Sequence, residues 1–266
     1  MGDRADQGLR RQRADLLLVE RGLVPSRARA QAEIAAGTVS ADGVAVTHAA
    51  QKLPVTAELA IAVPENPYVS RGALKLAPAL DHFGIGVAGA RVLDVGASTG
   101  GFCDLVLARG AGHVVAVDVG HGQLHPRLAA DPRVTALEGR DARTLTGEEA
   151  GAPDLLLVDV SFTRLDLVLP PVMAHVVAGG HMLALVKPQF EAGRAALGKG
   201  GLVRDPAARA AAVARVADMV SALDTWSVLG TLECPVRGGS GNIETWLAAR
   251  AGSRAGPSED LPCPSR

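Results

Sequence analysis

An apolar stretch that runs directly into a glycine-rich turn constrains the fold of this chain more than any other segment. Residues 93–102 read Leu-Asp-Val-Gly-Ala-Ser-Thr-Gly-Gly-Phe, which predicts a buried strand, a turn of small residues and the start of a helix. Small residues let the backbone N–H groups of such a turn approach a ligand closely. The segment therefore predicts a ligand-binding loop at the end of a strand.

Apolar segments alternate with helical or loop segments on both sides of this turn. The predicted strands span residues 91–95, 113–119, 134–137, 155–158, 182–186, 226–236 and 243–248. This alternation is typical of a doubly wound α/β sheet, in which helices connect parallel strands. We therefore predict a Rossmann-like, mostly parallel sheet of seven strands for residues 71–250.

The N-terminal part of the chain has a different pattern. Residues 4–31 contain seven arginines and three acids, which indicates a solvated helical face or a surface for an anionic partner. Two short helices, residues 15–20 and 27–36, precede a hairpin around Asp42-Gly43. We predict a small α+β domain at residues 11–63, after a flexible segment at 1–10. A linker at 64–70 and a disordered tail at 251–266 complete the predicted organisation.

Composition excludes several other classes of protein. The chain has 266 residues, a formal net charge of −1 and three cysteines without a C-x-x-C pair, so a disulfide scaffold and a cysteine-based zinc site are not expected. The first thirty residues lack the apolar segment of a signal peptide. Residues 167–186 carry no formal charge, but Pro170-Pro171 and Gly179-Gly180 divide them into a short helix and a strand. We expect a cytoplasmic protein without a membrane span.

Two familiar interpretations of the glycine-rich turn fit poorly. A dinucleotide fingerprint requires a second glycine where this chain has Ser98. A nucleophile elbow of a hydrolase matches residues 96–100 literally, but its histidine would have to be His175 or His181, which both lie within the apolar run. We therefore keep the hydrolase only as a weaker alternative.

An S-adenosylmethionine (SAM) site fits better. Asp118 ends the next predicted strand, where a carboxylate would accept both ribose hydroxyls, and Asp141 follows the third strand, near an adenine amino group. Each aspartate alone is equally well explained as a helix cap, but their joint placement favours a nucleoside. The predicted SAM contacts are Asp94, Gly96, Ala97, Ser98, Thr99, Gly100, Gly101, Phe102, Asp118, Asp141 and Asp159.

Two ionisable residues end neighbouring predicted strands. Asp159 follows the strand at 155–158, and Lys187 follows the strand at 182–186. The carboxyl ends of central strands are where doubly wound sheets place their ligands. The alternative roles are a helix cap for Asp159 and a side chain that extends to solvent for Lys187.

The N-terminal segment resembles the S4 RNA-binding domain, most clearly in Leu-Val-Pro-Ser-Arg-Ala-Arg-Ala-Gln at residues 23–31 and Thr-Val-Ser-Ala-Asp-Gly at 38–43. This resemblance implies that the second helix and the hairpin bind folded RNA through phosphates and shape. Together with basic residues of the second domain, the predicted RNA-binding residues are Arg11, Arg13, Arg21, Arg27, Arg29, Arg71, Arg194, Lys199 and Arg204.

The second domain resembles the FtsJ-like RNA 2′-O-methyltransferases, which carry a Lys-Asp-Lys-Glu tetrad. The matching positions are Lys75, Asp159, Lys187 and Glu244, the last on a closing strand. Residues 11–250 as a whole resemble the TlyA (haemolysin A) family, as seen in residues 118–124, 186–193 and 198–206. The resemblance implies SAM-dependent methylation of a cytidine 2′-OH in ribosomal RNA, in helix 44 of 16S RNA, helix 69 of 23S RNA, or both. In mycobacterial members it also implies sensitivity to capreomycin and viomycin.

The tetrad suits this chemistry, because methyl transfer to a hydroxyl needs in-line positioning and the removal of one proton. Burial would favour a neutral amine on Lys187, which would accept that proton, while Asp159 would orient it and Lys75 and Glu244 would hold the ribose. We expect ribosomal RNA or ribosomal subunits as partners, and no metal ion. We also expect the glycine-rich segment 190–204 to close over a flipped nucleotide. A membrane-active haemolysin and a non-catalytic ribosome-assembly factor are the alternatives. The sequence does not determine the oligomeric state.

Overall fold

The computed structural model describes residues 10–62, 66–238 and 240–252 and divides the chain into two units, Met1–Pro67 and Tyr68–Arg266. Most of the predicted flexible N-terminal segment, part of the predicted linker and nearly all of the predicted C-terminal tail lie outside the described residues. Each unit is considered separately below.

The N-terminal unit combines two helices with short strands. Its elements are β1 (Arg11–Arg13), α1 (Ala14–Glu20), α2 (Arg27–Ala35), β2 (Val39–Ala41), β3 (Val44–Ala45), β4 (Lys52–Pro54) and β5 (Leu59–Ile61). Strands β2 and β3 form the expected antiparallel hairpin around Asp42-Gly43 and lie in a sheet of order β3-β2-β5, while β1 pairs with β4. The Ser26 side chain accepts a hydrogen bond from the Arg29 N–H and caps α2.

The C-terminal unit is a doubly wound α/β sheet, which confirms the predicted fold class. Its strands are β6 (Arg91–Val95), β7 (His113–Asp118), β8 (Val134–Glu138), β9 (Leu155–Val158), β10 (His181–Val186), β11 (Trp226–Glu233) and β12 (Thr245–Ala251). Its helices are α3 (Gly72–His82), α4 (Gly101–Ala108), α5 (Pro126–Ala129), α6 (Gly147–Ala150), α7 (Leu165–Met173), α8 (Pro188–Glu191) and α9 (Pro206–Ser221). The strand order is β11-β12-β10-β9-β6-β7-β8.

Strands β6 to β10 run parallel, and β12 and β11 add antiparallel partners at one edge. Because helices cover both faces, the central strands β9 and β10 are almost continuously apolar and buried. Helices α3 and α4 pack in the apolar cluster on one face, and α7 and α9 pack in the cluster on the other. This arrangement leaves the carboxyl ends of the parallel strands as the open edge for a ligand.

Two predicted boundaries differ from the structure. The strand expected to reach residue 236 ends at Glu233, and the last strand begins at Thr245 and continues to Ala251. The uncharged run at 167–186 divides between α7 and β10, although Pro170 and Pro171 lie within the helix and do not end it. Within the described residues, no helix combines the length and the apolar character that a membrane crossing requires.

Candidate active site

Four residues singled out from the sequence meet at the open edge of the sheet. Gly96 follows β6, Asp118 ends β7, Asp159 follows β9 and Lys187 follows β10. These strands are parallel neighbours in the order β10-β9-β6-β7, so their carboxyl ends lie side by side. The topology therefore brings together residues that are up to 91 positions apart in the sequence.

The glycine-rich turn approaches the end of β9 so closely that no side chain fits between them. A Cβ added at Gly96 would lie 2.4 Å from the backbone oxygen of Asp159, and Gly96 has a φ of +85°. Gly100, with a φ of +90°, is the N-cap of α4. Ser98 also adopts a left-handed φ, of +47°, a conformation that usually favours glycine. The turn thus keeps the backbone course of a glycine-rich loop despite its serine.

The Asp118 cleft is a cavity of about 540 Å³ between this turn and the ends of β7 and β9, lined in part by Asp118, Asp141 and Asp159. The Asp118 carboxylate accepts hydrogen bonds from the backbone N–H groups of Ser98 and Gly120, each at 2.8 Å. The Asp118 carboxylate thereby fixes the turn relative to the end of β7. A predicted ribose acceptor therefore also holds the loop together.

Asp141 lines the same cleft and is bound by a neighbour. Its carboxylate accepts hydrogen bonds from the Arg143 side chain, at 2.6 Å to Nη2, and from the Arg143 backbone N–H. These contacts lower the pKa of the Asp141 carboxyl, the Arg143 guanidinium contributing most. The carboxylate is therefore an anionic acceptor at the edge of the cleft.

Lys187 and Asp159 form the first of two ion pairs. Lys187 Nζ lies 2.6 Å from Asp159 Oδ1, and its side chain is only 10% exposed. Nζ also donates a hydrogen bond to Ser161 Oγ, at 2.9 Å. Ser161 was not predicted from the sequence, although its position two residues after Asp159 places it at the same strand end.

Lys75 and Glu244 form the second ion pair, with Lys75 Nζ donating to Glu244 Oε2 at 2.7 Å. The Glu244 side chain is 2% exposed and that of Lys75 14%. Trp246 Nε1 donates to the backbone oxygen of Lys75 and so joins α3 to β12. Glu244 was expected on the closing strand but lies just before β12, in the turn that precedes it. The polar turn leaves its carboxylate free to reach Lys75.

Both pairs open onto a continuous crevice. The Lys187 cleft, about 420 Å³, is lined in part by Lys75, Lys187, Glu244 and Phe162. The Arg71 cleft, about 260 Å³, is lined in part by Arg71, Lys75 and Asp159, together with the glycine-rich turn. Asp159 is shared by the Asp118 and Arg71 clefts, and Lys75 by the Arg71 and Lys187 clefts. All four tetrad positions therefore lie at one crevice.

Not every predicted SAM contact faces this crevice. Gly96, Ser98 and Asp159 line two of the clefts, and Ala97, Thr99, Gly101 and Phe102 line one. Gly100 is not among the lining residues, because its Cα faces the side chains of Leu124 and Leu128.

Asp94 does not reach the crevice either. Its side chain is completely buried behind the turn and accepts a hydrogen bond from the Cys103 thiol at 3.0 Å. Burial raises the pKa of Asp94 to about 7. The expected direct contact with a ligand is therefore wrong for the Asp94 side chain, since its strand position points it into the core beneath α4.

The hydrolase alternative does not fit the structure. Ser98 Oγ contacts Gln123 Oε1 at 3.1 Å, and no histidine among the described residues is bonded to it. His181 begins β10 and His175 follows α7, which places both at the opposite edge of the sheet from the turn. Ser98 therefore has no base.

The predicted RNA-binding arginines of the N-terminal unit are engaged within the protein. The buried Asp15 carboxylate accepts hydrogen bonds from Arg13 and Arg27 at 2.9 Å and from Gln31 at 3.1 Å. Arg13 remains 33% exposed and Arg27 53% exposed. Asp15 therefore orients two guanidinium groups whose remaining N–H groups face outward.

The other predicted arginines of this unit also have partners. Arg29 pairs with Glu33 one helical turn later, Arg21 donates to the backbone oxygens of Val55 and Ala57, and Arg11 donates to Lys52 O. These contacts stabilise the unit, so the basic character of the segment serves its own fold as well as any partner.

The predicted basic residues of the C-terminal unit have no such partners. Arg71, Arg194, Lys199 and Arg204 are exposed and make no side-chain hydrogen bond or ion pair within the described residues. Arg194 and Lys199 lie in two 3-10 turns between α8 and α9, where we predicted a glycine-rich closing segment. No cluster of three or more potential metal ligands occurs within the described part of the chain.

Comparison with known proteins gives the family. A model of the FtsJ-like methyltransferases matches residues 68–251. The chain is 47% identical to the 16S/23S rRNA (cytidine-2′-O)-methyltransferase TlyA of Mycobacterium tuberculosis over 243 residues, covering 91% of this chain and 90% of that protein. It is 37% identical to Hemolysin A of Brachyspira hyodysenteriae, covering 87% of this chain and 97% of that protein.

A solved structure supports the same relationship. A Streptococcus thermophilus protein assigned as a hemolysin is 38% identical to the chain, with a TM-score of 0.70, and the match covers 91% of this chain and 89% of that one. Its similarity spans both units, as does that of the mycobacterial relative. The chain therefore belongs to the TlyA family of FtsJ-like methyltransferases.

Proposed function

We propose that this protein transfers a methyl group from SAM to the 2′-hydroxyl of a cytidine in ribosomal RNA. The observation that carries the proposal is the convergence of two lysine–carboxylate pairs, Lys187–Asp159 and Lys75–Glu244, at one crevice beside the glycine-rich turn. The substrate follows from the mycobacterial relative, which is named for methylation of cytidine in 16S and 23S rRNA. Ribosomal RNA is a cytoplasmic substrate, so we propose that the protein acts there.

The residues of the crevice fit SAM. Small residues of the turn, Gly96, Ala97, Ser98, Thr99 and Gly101, line the Arg71 cleft, so a ligand can approach the backbone of the turn closely. The Asp118 cleft offers carboxylates for ribose hydroxyls and an adenine amino group at Asp118 and Asp141. When bound, SAM would supply an electrophilic methyl group on a positively charged sulfur.

The two ion pairs suit the remaining steps at the ribose hydroxyl. Lys187 Nζ, held by Asp159 and Ser161, is placed to accept the proton of the 2′-hydroxyl as a neutral amine. The Lys75–Glu244 pair also lines the Lys187 cleft and would position the ribose. Once Lys187 has accepted that proton, the site holds two cations and two anions, so it develops no large net charge. Alignment of the reactants can contribute about 7–11 kcal/mol toward the barrier.

The N-terminal unit has a separate role in this proposal. We infer that it resembles an S4 domain in function and binds the folded ribosomal RNA, with the outward N–H groups of Arg13 and Arg27 contacting phosphates. Because the contact is mainly electrostatic, affinity for RNA should fall steeply with salt, whereas affinity for SAM should not.

A single substitution tests the catalytic assignment. We expect Lys187→Met to lower methyl transfer to ribosomal subunits at least about 100-fold, by loss of the proton acceptor. Binding of S-adenosylhomocysteine should remain within a few-fold, because the Asp118 cleft is unchanged. Transfer would be measured with radiolabelled SAM and ribosomal subunits that lack the modification.

A matched control and a mapping step complete the test. Arg133→Gln removes a guanidinium group that pairs with Asp131 just before β8, away from the crevice, and should leave the turnover rate within a few-fold. Nearly full turnover in Lys187→Met would remove the catalytic assignment. Methylation at a base, or none on either ribosomal RNA, would contradict the proposed function. Dye release from pure-lipid vesicles by the purified protein would support the membrane-active alternative.

A further inference from the structure

The arginines of the C-terminal unit fall into two groups. Between residues 68 and 252 there are fourteen. Ten donate side-chain hydrogen bonds within the protein, namely Arg91, Arg109, Arg127, Arg133, Arg140, Arg143, Arg164, Arg209, Arg215 and Arg250. The remaining four, Arg71, Arg194, Arg204 and Arg237, make no side-chain hydrogen bond or ion pair with any described residue.

Two of the four unpartnered arginines line the same part of the active crevice. Arg71 precedes α3 and Arg237 lies between β11 and β12, and both line the Arg71 cleft beside Lys75. Among the residues that line this cleft, only Asp159 carries a carboxylate, and that carboxylate already contacts Lys187. The two guanidinium groups are therefore uncompensated positive charges within reach of the tetrad.

The charge of the cleft favours RNA over SAM as the ligand of these arginines. SAM carries a sulfonium and an ammonium group against one carboxylate, so two additional cations would oppose its binding overall. A ribose that presents its 2′-hydroxyl to Lys187 has a phosphate on its adjacent 3′ carbon. Guanidinium groups bind phosphate oxygens in a bidentate geometry.

We propose that Arg71 and Arg237 form a phosphate-binding subsite for the RNA backbone next to the methylated ribose. The inference rests on the proposed function and adds Arg237, which the sequence did not single out. The subsite positions the target nucleotide by its backbone, so it contributes binding and alignment without distinguishing between bases.

Binding measurements on the full chain test this subsite. We would titrate a transcript of 23S helix 69 with wild type, Arg71→Gln, Arg237→Gln and the double variant at several salt concentrations. Each substitution should reduce the slope of log affinity against log salt by about 0.7–0.9, and the double variant by about twice that. Arg133→Gln is the matched control, because Arg133 pairs with Asp131 just before β8, at the opposite edge of the sheet.

A second readout separates RNA binding from SAM binding. S-adenosylhomocysteine affinity, measured by calorimetry, should stay within twofold of wild type in all variants, whereas KM for RNA should rise. A loss of S-adenosylhomocysteine affinity with an unchanged salt slope would assign the arginines to the cofactor carboxylate and overturn the proposal. A slope equal to that of Arg133→Gln would also overturn it. The salt slope and the S-adenosylhomocysteine affinity are both independent of turnover, so they stand even if methyl transfer occurs elsewhere than proposed.

Discussion

Asp94 should make the stability of the C-terminal unit fall as the pH rises. Burial raises its pKa from 3.8 to about 7, so the folded state keeps a proton that the unfolded chain loses near pH 4. The contribution of Asp94 to the free energy of unfolding is therefore greatest below pH 4, falls between about pH 4 and 7, and is constant above that. At about 1.4 kcal/mol for each pH unit, the decrease amounts to about 4 kcal/mol.

Asp94→Asn removes this dependence, because an amide carries no charge at either pH. We expect the free energy of unfolding of the variant, relative to wild type, to increase by about 3 to 4 kcal/mol between pH 4.5 and pH 8. Urea titrations followed by tryptophan fluorescence give this quantity directly. The two tryptophans of the chain, Trp226 and Trp246, both lie in the C-terminal unit, so the signal reports on that unit alone.

Subtracting the free energy of unfolding of the variant from that of the wild type at each pH cancels the effects of other titrating groups, including the histidines. A difference that stays constant across the range would refute the reasoning, since Asp94 would then ionise equally easily in both states. A difference of opposite sign would mean that the ionised carboxylate is stabilised within the fold. Asp104→Asn is a useful comparison, because that carboxylate has an arginine partner, Arg127.

Two further substitutions test the turn and the N-terminal unit. Gly96→Ala should destabilise the C-terminal unit by more than about 2 kcal/mol and weaken S-adenosylhomocysteine binding, because the added Cβ meets the Asp159 backbone. The control is Gly84→Ala, which has a similar φ and no neighbouring atom within 4 Å. It should lower the free energy of unfolding by only about 1 kcal/mol. The pKa of Asp15 is held low mainly by Arg13. The ionised carboxylate therefore stabilises the N-terminal unit above about pH 4, and this stabilisation should be lost as the pH falls below about 4. Asp15→Asn should abolish that acid sensitivity and lower the stability at pH 7 by about 2 kcal/mol, as measured by hydrogen exchange of α1 and α2.

The sequence predicted the framework of the site because strand ends are set by local patterns. Runs of apolar residues end at Asp118, Asp159 and Lys187, and the parallel sheet brings the ends of those runs to one edge. The ion pair between Lys75 and Glu244 joins residues 169 positions apart. Periodicity carries no information about such a contact, so the resemblance to a family supplied it.

Other features depend on side-chain direction, which a sequence pattern does not specify. Asp94 and Asp118 both belong to strands that end at the crevice, yet one carboxylate points into the core and the other to the turn. The basic N-terminal segment suggested free cations, but one buried acid, Asp15, engages Arg13 and Arg27. Arg237 was overlooked because a lone arginine in a glycine-rich connection has no distinguishing sequence pattern. Its place at the Arg71 cleft and its lack of a partner among the described residues are visible only in the structure.

The contact between Gly96 and the Asp159 backbone has a consequence for how this enzyme can change over evolution. Since a Cβ at Gly96 would meet the Asp159 backbone, the glycine-rich turn and the end of β9 must keep their present spacing. The surrounding connections, between β10 and α9 and between β11 and β12, carry arginines that have no partner among the described residues. Selection can therefore redesign those rims for a different RNA while the geometry of methyl donation stays the same.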